Sequence, residues 1–152
     1  MLLTLTGGAG AGKTTLAAAL VEASPVGSVR VLHGDDYYVD GPECGVWVPD
    51  EEGVLRLDVG DPRSVDDGRL AGDVAEALAA SSVVIVEGLF APLDVLLRNY
   101  LGSRRSAHER HVEPERAVCD LVVEAVVPAG VLASRVWAAV GARSRPGPDP
   151  RA

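Results

Sequence analysis

One lysine stands apart among the cationic residues of this chain. The sequence has 14 Lys and Arg residues, and the only lysine among them is Lys13. It lies in the segment 7–15, GGAGAGKTT, which fits the pattern G-x-x-x-x-G-K-[ST]. That pattern predicts a loop whose backbone N–H groups surround phosphates, with the lysine at the β- and γ-phosphates and the next hydroxyl on Mg²⁺. The residues predicted to contact the nucleotide are Gly8, Ala9, Gly10, Ala11, Gly12, Lys13, Thr14 and Thr15.

The segments on either side of this loop support the prediction. Residues 2–6 form a short β-favouring apolar run, and residues 15–23 carry Leu16 and Leu20 on one face of an expected helix. A strand, a glycine loop and a helix N-terminus are the context that this motif needs, and the helix start favours an anion. The alternative is a glycine-rich turn that contains a lysine by chance.

Two acids follow the second expected strand, residues 29–33. They are Asp35 and Asp36 in the segment HGDDYY. Ligands of open α/β sheets bind beyond the carboxyl ends of the strands, so at least one of these carboxylates should point over the phosphate loop. A carboxylate in that place can accept the proton of an attacking hydroxyl. The alternative is an aspartate pair that caps a turn.

Two further acids are candidates for the site. Glu87 closes the apolar run 82–86, and an acid at the end of a strand beside the phosphate loop is the usual second anchor for Mg²⁺, with Thr14 as the first. Asp58 precedes an expected helix and suits the two vicinal hydroxyls of a ribose. A simple helix-entry turn is an equal alternative for Asp58, and Asp61 is expected to have that role.

The order of the expected elements defines the fold class. Ser64 and Asp67 resemble a capping box for a helix that carries Leu70, Val74 and Leu78. A helix is expected around residues 93–100, a charged segment at 103–116, a last strand at 121–127 and a last helix at 128–140. The long segment 34–57 is polar and turn-rich. Strands that alternate with helices predict an α/β fold with a parallel sheet flanked by helices.

Composition restricts the classes of function. At 152 residues and 47% apolar content, one domain with one core is expected. The formal net charge of −8 argues against a nucleic-acid partner. Cys44 and Cys119 have no metal-ligand spacing and are expected to be reduced thiols. No signal peptide and no membrane-length apolar run is visible, which predicts a cytoplasmic protein without a membrane partner.

Four motifs together resemble the uridine kinase and nicotinamide riboside kinase branch of the P-loop kinases, the phosphoribulokinase–uridine kinase family. GGAGAGKTT is similar to the phosphate loop of that branch, HGDDYY to its second-strand motif, LDVGDPRSVD to its W-D-x-P-x-x-x-D segment, and VVIVEGLFA to its V-x-x-E-G-[IL] strand. They occur in the family's order over roughly residues 1–95. The resemblance implies a P-loop NTPase fold of the three-layer α/β/α type, with residues 1–142 as the kinase domain. Prolines at 146, 148 and 150 predict a flexible tail at 143–152.

The resemblance also implies roles for single residues. It makes Asp35 the base for the acceptor hydroxyl, although Asp36 remains an alternative, and gives Asp58 to the ribose. One tyrosine of the pair Tyr37 and Tyr38 would line the base pocket, with Tyr38 as our candidate. Lys13 and Asp35 are then the catalytic residues, Thr14 and Glu87 the metal ligands, and Asp35, Asp36, Tyr38 and Asp58 the substrate residues, with ATP and Mg²⁺ as cofactors.

The chain departs from the family pattern at several points. Leu57 stands where the family often has an aromatic residue, and a proline-tyrosine-aspartate segment of many relatives is absent. The arginines of the lid are not clear: Arg135, Arg143 and Arg145 are present, and Arg104, Arg105 and Arg110 lie in the charged segment. The expected function is phosphoryl transfer from ATP to a hydroxyl of a nucleoside-like acceptor. The alternatives are another small acceptor, such as a vitamin precursor or sugar, and a nucleotide-binding protein whose kinase activity has lapsed.

Overall fold

The computed structural model describes residues 1–88, 117, 119–124 and 126–143. Five strands and three α-helices lie within these ranges. In chain order they are β1 (Leu2–Leu5), α1 (Lys13–Glu22), β2 (Val29–His33), β3 (Trp47–Pro49), β4 (Leu55–Leu57), α2 (Asp67–Ala80), β5 (Val83–Glu87) and α3 (Ala129–Arg143). Two short 3₁₀ helices are also present. Gly34–Tyr37 directly follows β2, and Pro62–Ser64 precedes α2.

The main sheet is parallel, as the alternation of strands and helices predicted. Its order is β1-β5-β2, so β5 lies in the middle and pairs with both neighbours. The register aligns Leu5 of β1 and His33 of β2 with Glu87, the last residue of β5. All three strands therefore end at the same edge of the sheet, and their following loops meet there.

Helices cover both faces of this sheet. On one face Val83 and Ile85 of β5 pack in a buried cluster with α1 and α3. On the other face Val84 packs with Leu32, Tyr37, Val65 and Ala77, and α2 supplies the last of these. Successive β5 side chains alternate between two dry layers, which is why the strand reads as a continuous apolar run. The arrangement is an α/β fold compatible with three layers.

The helix α1 is held against α3 by packing and by one buried polar contact. Leu16, Ala17 and Leu20 of α1 are buried. The indole nitrogen of Trp137 in α3 donates to the Leu20 carbonyl oxygen at 3.1 Å. Full burial of a leucine side chain stabilises a fold by about 1.5–3 kcal/mol. The helix that follows the glycine loop is therefore anchored along its length.

The predicted capping box at the start of α2 is wrong. The N-cap is Asp66, whose side chain accepts from the Arg69 backbone N–H at 2.9 Å. Ser64 is fully buried, and its hydroxyl accepts from the Val46 backbone N–H at 3.2 Å. The Ser64 hydroxyl is therefore bonded to the loop of Val46, and Asp66 is the residue that caps the helix.

The buried face of α2 also differs slightly from the prediction. Leu70 and Val74 pack against the second cluster as expected, but the next buried residue is Ala77. Leu78 is 38% exposed. Strict four-residue steps drift around a helix of 3.6 residues per turn, so the core position falls one residue earlier.

The turn-rich segment after β2 contains ordered structure. Strands β3 and β4 form an antiparallel hairpin, with Trp47 opposite Leu57. Asp50 closes the turn by accepting from the backbone N–H groups of Glu52 and Val54. The Val39 N–H donates to the Ser64 carbonyl at 3.0 Å, so this excursion is fastened to the entry of α2.

The predicted strand at 121–127 is wrong for the residues that the structure describes there. Residues 121–124 and 126–127 have no strand conformation, and Leu121, Val122 and Val126 are exposed. An apolar run becomes a strand only when a neighbouring strand pairs with it. The last predicted helix is confirmed as α3, which begins directly after Pro128.

Several predictions fall on residues outside the described ranges. These are the helix at 93–100, the charged segment 103–116 with its three arginines, and the tail beyond Arg143. Within the described ranges, no helix has the length and apolar character needed to cross a bilayer. Cys44 and Cys119 are both free and exposed.

Candidate functional site

The glycine-rich loop, residues 6–12, joins β1 to α1. Gly12 is the N-cap of α1 and has φ 78° and ψ 22°, a left-handed conformation that glycine adopts without steric cost. The Leu16 N–H donates to the Gly12 carbonyl at 2.9 Å, and the Ala11 N–H donates to the Gly8 carbonyl at 3.2 Å. Among the residues that the structure describes, no side chain caps the start of α1. The N–H groups of a first helical turn suit an anion.

Lys13 folds back over this loop. Its Nζ donates to the carbonyl oxygens of Gly7 and Gly8, both at 3.1 Å. Loss of hydration lowers the pKa of the Lys13 ammonium, and the nearby charges of Glu87 and Asp35 act in the opposite direction. The half-buried ammonium is thus incompletely solvated, so an anion in the loop would stabilise its charged form.

Glu87 lies at the end of the central strand and is only 5% exposed. The Thr14 hydroxyl donates to its Oε1 at 3.0 Å, and Nδ1 of His33 lies 2.6 Å from the same oxygen. The structure therefore brings together the two residues predicted to bind the metal. A hydroxyl and a carboxylate are hard oxygen ligands of the kind that Mg²⁺ prefers.

No protein cage for a metal accompanies this pair. Within the ranges that the structure describes, no group of three or more His, Cys, Asp or Glu residues is placed to hold an ion. Mg²⁺ commonly keeps several waters and uses only one or two carboxylates together with ligand phosphates. Thr14 and Glu87 are the residues that would hold it.

Asp35 lies in the 3₁₀ turn that directly follows β2. Loss of hydration raises the pKa of its carboxyl, and the negative charge of Glu87 raises it further. Lys13 and the nearby Tyr38 hydroxyl oppose this rise, and Asp36 has the smallest effect. Asp35 thus lies within the electrostatic reach of both Lys13 and Glu87.

The neighbouring Asp36 is held through its backbone carbonyl group. A guanidinium nitrogen of Arg69 donates to the Asp36 carbonyl oxygen. The same guanidinium lies over the ring of Tyr37, 4.8 Å from its centroid. The Asp36 side chain is exposed at the surface of this turn. Of the two acids, Asp35 is the one coupled to Lys13.

The two tyrosines of HGDDYY have different environments. Tyr37 is buried, at 4% exposure, and its hydroxyl donates to Asp73 at 2.8 Å. Burial, together with this hydrogen bond, raises the pKa of Tyr37. Tyr38 is half-buried, and its hydroxyl donates to the Val59 carbonyl at 3.1 Å. Tyr37 is therefore a core residue, and Tyr38 is the one beside Asp35.

Asp58 forms part of a turn. Its Oδ1 accepts from the Gly60 N–H at 3.0 Å, and its carbonyl accepts from the Asp61 N–H at 3.1 Å. Asp61 in turn accepts from the Arg63 N–H at the start of the second 3₁₀ helix, as predicted. The Tyr38–Val59 hydrogen bond connects this turn to the turn of Asp35. The turn role of Asp58 is present, and its predicted contact with an acceptor stays a prediction.

Gly88 was not identified from the sequence as a site residue. It has φ 109°, and a Cβ on it would lie 3.2 Å from the Gly34 nitrogen and 3.4 Å from the Gly34 Cα. The end of β5 and the turn that carries Asp35 therefore approach too closely for a larger residue. His33 was also missed. Only their positions in the sequence could have indicated them, because Gly88 directly follows Glu87 and His33 lies two residues before Asp35.

One open cavity lies away from these acids. It has a volume of about 580 Å³ between α1 and the start of α3, and it is bordered mainly by small side chains of the two helices. Thr15 is the one predicted site residue in its lining. Neither Lys13 nor Glu87 lines it, so the cavity is distinct from the cluster at the sheet edge.

No protein-family model matches the chain, and no curated protein matches it. What defines the site is therefore its own geometry. A glycine loop with a half-buried lysine, a hydroxyl bonded to a buried carboxylate and a second acid of raised pKa meet at the carboxyl edge of a parallel sheet.

Proposed function

We propose that this protein is an ATP-dependent small-molecule kinase of the P-loop type that phosphorylates a hydroxyl of a nucleoside-like acceptor. The observation that carries the proposal is the coupling of Lys13, Glu87 and Asp35 at one edge of the sheet. Three residues from separate segments of the sequence place charges of both signs close together at this edge. Clusters of perturbed ionisable groups are typical of functional sites.

The reaction assigns one task to each group. The acceptor oxygen attacks the γ-phosphorus, the bond from that phosphorus to the β,γ-bridging oxygen breaks, and ADP leaves. The proton of the acceptor hydroxyl passes to the Asp35 carboxylate. Lys13 stabilises the charge on the transferring group, because phosphoryl transfer depends mainly on positioning and electrostatics. Mg²⁺ held by Thr14 and Glu87 would supply further neutralisation of the phosphate oxygens.

The raised pKa of Asp35 supports its role as the base. A base is most effective when its pKa approaches the working pH, and loss of hydration together with the charge of Glu87 moves this carboxyl in that direction. Both side chains are exposed, but the carbonyl oxygen of Asp36 accepts from Arg69, whereas the charges of Lys13 and Glu87 act on Asp35. These charges support Asp35 as the base, and Asp36 would bind the acceptor.

The acceptor class rests on the resemblance and on the linked turns of Asp35 and Asp58. Tyr38 bridges these two turns through the Val59 carbonyl. A ribose-like acceptor that offers its primary hydroxyl to Asp35 would present its vicinal hydroxyls to Asp58. Two acids at the two ends of a small polyol suit an acceptor with several hydroxyls.

The test is a coupled assay of ADP formation with a panel of nucleosides, vitamin precursors and sugars. Turnover with a nucleoside, dependent on Mg²⁺ and abolished by EDTA, is the expected result. Activity confined to a vitamin precursor or a sugar would move the acceptor class and keep the chemistry. ATP binding without turnover of any acceptor would favour a nucleotide-binding protein whose kinase activity has lapsed. Absence of ATP binding in equilibrium dialysis would refute the proposal.

A further inference from the structure

The buried carboxylate of Glu87 is held by two donors on one oxygen. Oε1 receives the Thr14 hydroxyl at 3.0 Å and lies 2.6 Å from Nδ1 of His33. Glu87 is 5% exposed, whereas the His33 side chain is 47% exposed. A buried carboxylate is costly unless hydrogen bonds compensate it. His33 therefore gives Glu87 a partner and leaves its own outer ring edge in water.

The contact follows from strand register. His33 and Glu87 are aligned as the last residues of two paired parallel strands, β2 and β5. Side chains at aligned positions of neighbouring strands lie side by side on one face of the sheet. Thr14 approaches the same oxygen from the first turn of α1. The two donors come from different elements, so together they restrict the rotation of the carboxylate.

The second carboxylate oxygen, Oε2, is used by neither of these two donors. Among the residues placed by the structure, none donates a hydrogen bond to Oε2 of Glu87. A metal shell beside Thr14 therefore meets a carboxylate whose orientation is already fixed. Partners that orient a metal ligand from behind typically change metal affinity by about 10–100-fold when they are removed.

From this geometry we infer that His33 is a positioning residue for the metal anchor: by holding Oε1, it fixes the Glu87 carboxylate in the orientation that binds Mg²⁺ with the nucleotide. The inference rests on the proposed function, because it assigns a metal to Glu87 and Thr14. His33 itself touches neither nucleotide nor acceptor in this scheme. Its effect should appear in metal dependence and much less in the maximal rate.

The variants are chosen to separate hydrogen bonding from bulk. His33→Ala removes the donor, and His33→Asn keeps an amide nitrogen near the place of Nδ1. His33→Gln has similar polarity, but its longer side chain places the amide elsewhere. Arg30→Ala is the matched control, because Arg30 is an exposed residue of the same strand with its side chain on the other face. Thermal unfolding without ligand shows whether each variant is folded.

Two readouts are measured over a Mg²⁺ titration. The first is binding of a fluorescent, non-hydrolysable ATP analogue, and the second is turnover at saturating ATP and acceptor. We expect His33→Ala to raise the half-saturating Mg²⁺ concentration about tenfold in both, with kcat at saturating Mg²⁺ within about threefold of wild type. His33→Asn should restore most of the metal affinity, whereas His33→Gln should resemble the alanine variant. Arg30→Ala should leave the curve unchanged.

The outcomes are separable. An unchanged Mg²⁺ midpoint in folded His33→Ala would overturn the role of His33 and leave the kinase proposal intact. If the alanine variant is unfolded, the comparison of asparagine with glutamine decides: equal midpoints for these two would overturn the inference. Wild-type protein that binds the analogue equally well in EDTA would contradict the metal site itself, and the proposed function with it.

Discussion

Exchange of the Asp35 carboxylate for an amide is the sharpest test of the proposed chemistry. Asp35→Asn preserves the size of the side chain and an oxygen that can accept a hydrogen bond, but it cannot take up the acceptor proton. General base catalysis typically contributes about 10²–10⁴ in rate. At 1.36 kcal/mol per tenfold, this corresponds to a rise of about 2.7–5.4 kcal/mol in the activation free energy. ATP affinity should change little, since Asp35 does not contact the nucleotide in the proposed scheme.

The matched control is Asp36→Asn. Both substitutions remove one negative charge from the same turn, but Asp36 has the smallest of the effects on the pKa of Asp35. Its side chain is exposed, and its backbone contact with Arg69 is independent of the carboxylate. We expect kcat to stay within about threefold of wild type, with any defect in the KM for the acceptor. Single-turnover measurements at saturating ATP separate the chemical step from product release.

The pH dependence gives an independent check. Loss of hydration and the charge of Glu87 raise the pKa of Asp35 above the ordinary carboxylate value of 3.8. Protonated Asp35 cannot act as a base, so kcat/KM should fall as pH decreases through this raised pKa. The acidic limb should disappear in Asp35→Asn, whose residual rate should be flat over that range.

The same shift predicts the direction of a stability change. A carboxyl whose pKa is higher in the folded state than in the unfolded state binds more protons when folded, so stability falls as pH rises from 3.8 through the raised pKa. Asp35→Asn removes that cost, and at pH 7 its Tm without ligands should equal or exceed that of wild type. A variant that loses both stability and activity would show that Asp35 has a structural role. Full kcat in Asp35→Asn with every accepted substrate would refute its role as the base.

Three further substitutions test the surrounding site. Lys13→Ala should lower kcat/KM about 10²–10³-fold, because it removes a preorganised charge from the phosphates; turnover of ATP at the wild-type rate would contradict the proposed loop. Asp58→Asn keeps the oxygen that accepts from Gly60. It should raise the acceptor KM about tenfold with kcat nearly unchanged. A 2′-deoxy acceptor should reproduce this KM defect in the wild type and add little to it in the variant. Gly88→Ala should destabilise the fold by about 1–2 kcal/mol and lower kcat, because the positive φ strains a residue with a Cβ and that Cβ would press on Gly34 in the turn of Asp35. Gly72→Ala in the open middle of α2 should be neutral or stabilising. Equal urea midpoints for the two variants would contradict this packing.

The parts of the fold that were predictable from sequence are those encoded locally. The apolar run of β5 is long enough and sufficiently bounded by Ser82 and Gly88 to identify a buried strand. The loop between β1 and α1 was recognisable because glycines, lysine and hydroxyl have fixed spacing. In both cases one short segment contains the whole signal, so no distant residue had to be known.

The errors have a different origin. Ser64 was predicted to cap α2, but its hydroxyl accepts from the N–H of Val46, eighteen residues away, and Asp66 is the N-cap. The apolar run at 121–127 lacked strand structure in its described residues although its composition favours strands. A local pattern shows neither the contact between Ser64 and Val46 nor whether a neighbouring strand pairs with residues 121–127. The same holds for His33, whose importance depends on the register that aligns it with Glu87.

The electrostatics of the site connect its energetics to its proposed use. Loss of hydration disfavours the charged forms of both Lys13 and Asp35, and the charge of the buried Glu87 acts on both groups. A fold selected for stability alone would replace such groups with apolar or fully exposed ones. A nucleotide with Mg²⁺ adds phosphate charge beside Lys13 and a cation beside Glu87, so binding should relieve both penalties. The cluster is therefore better explained as a site arranged for ligand charges than as a device that stabilises the sheet edge.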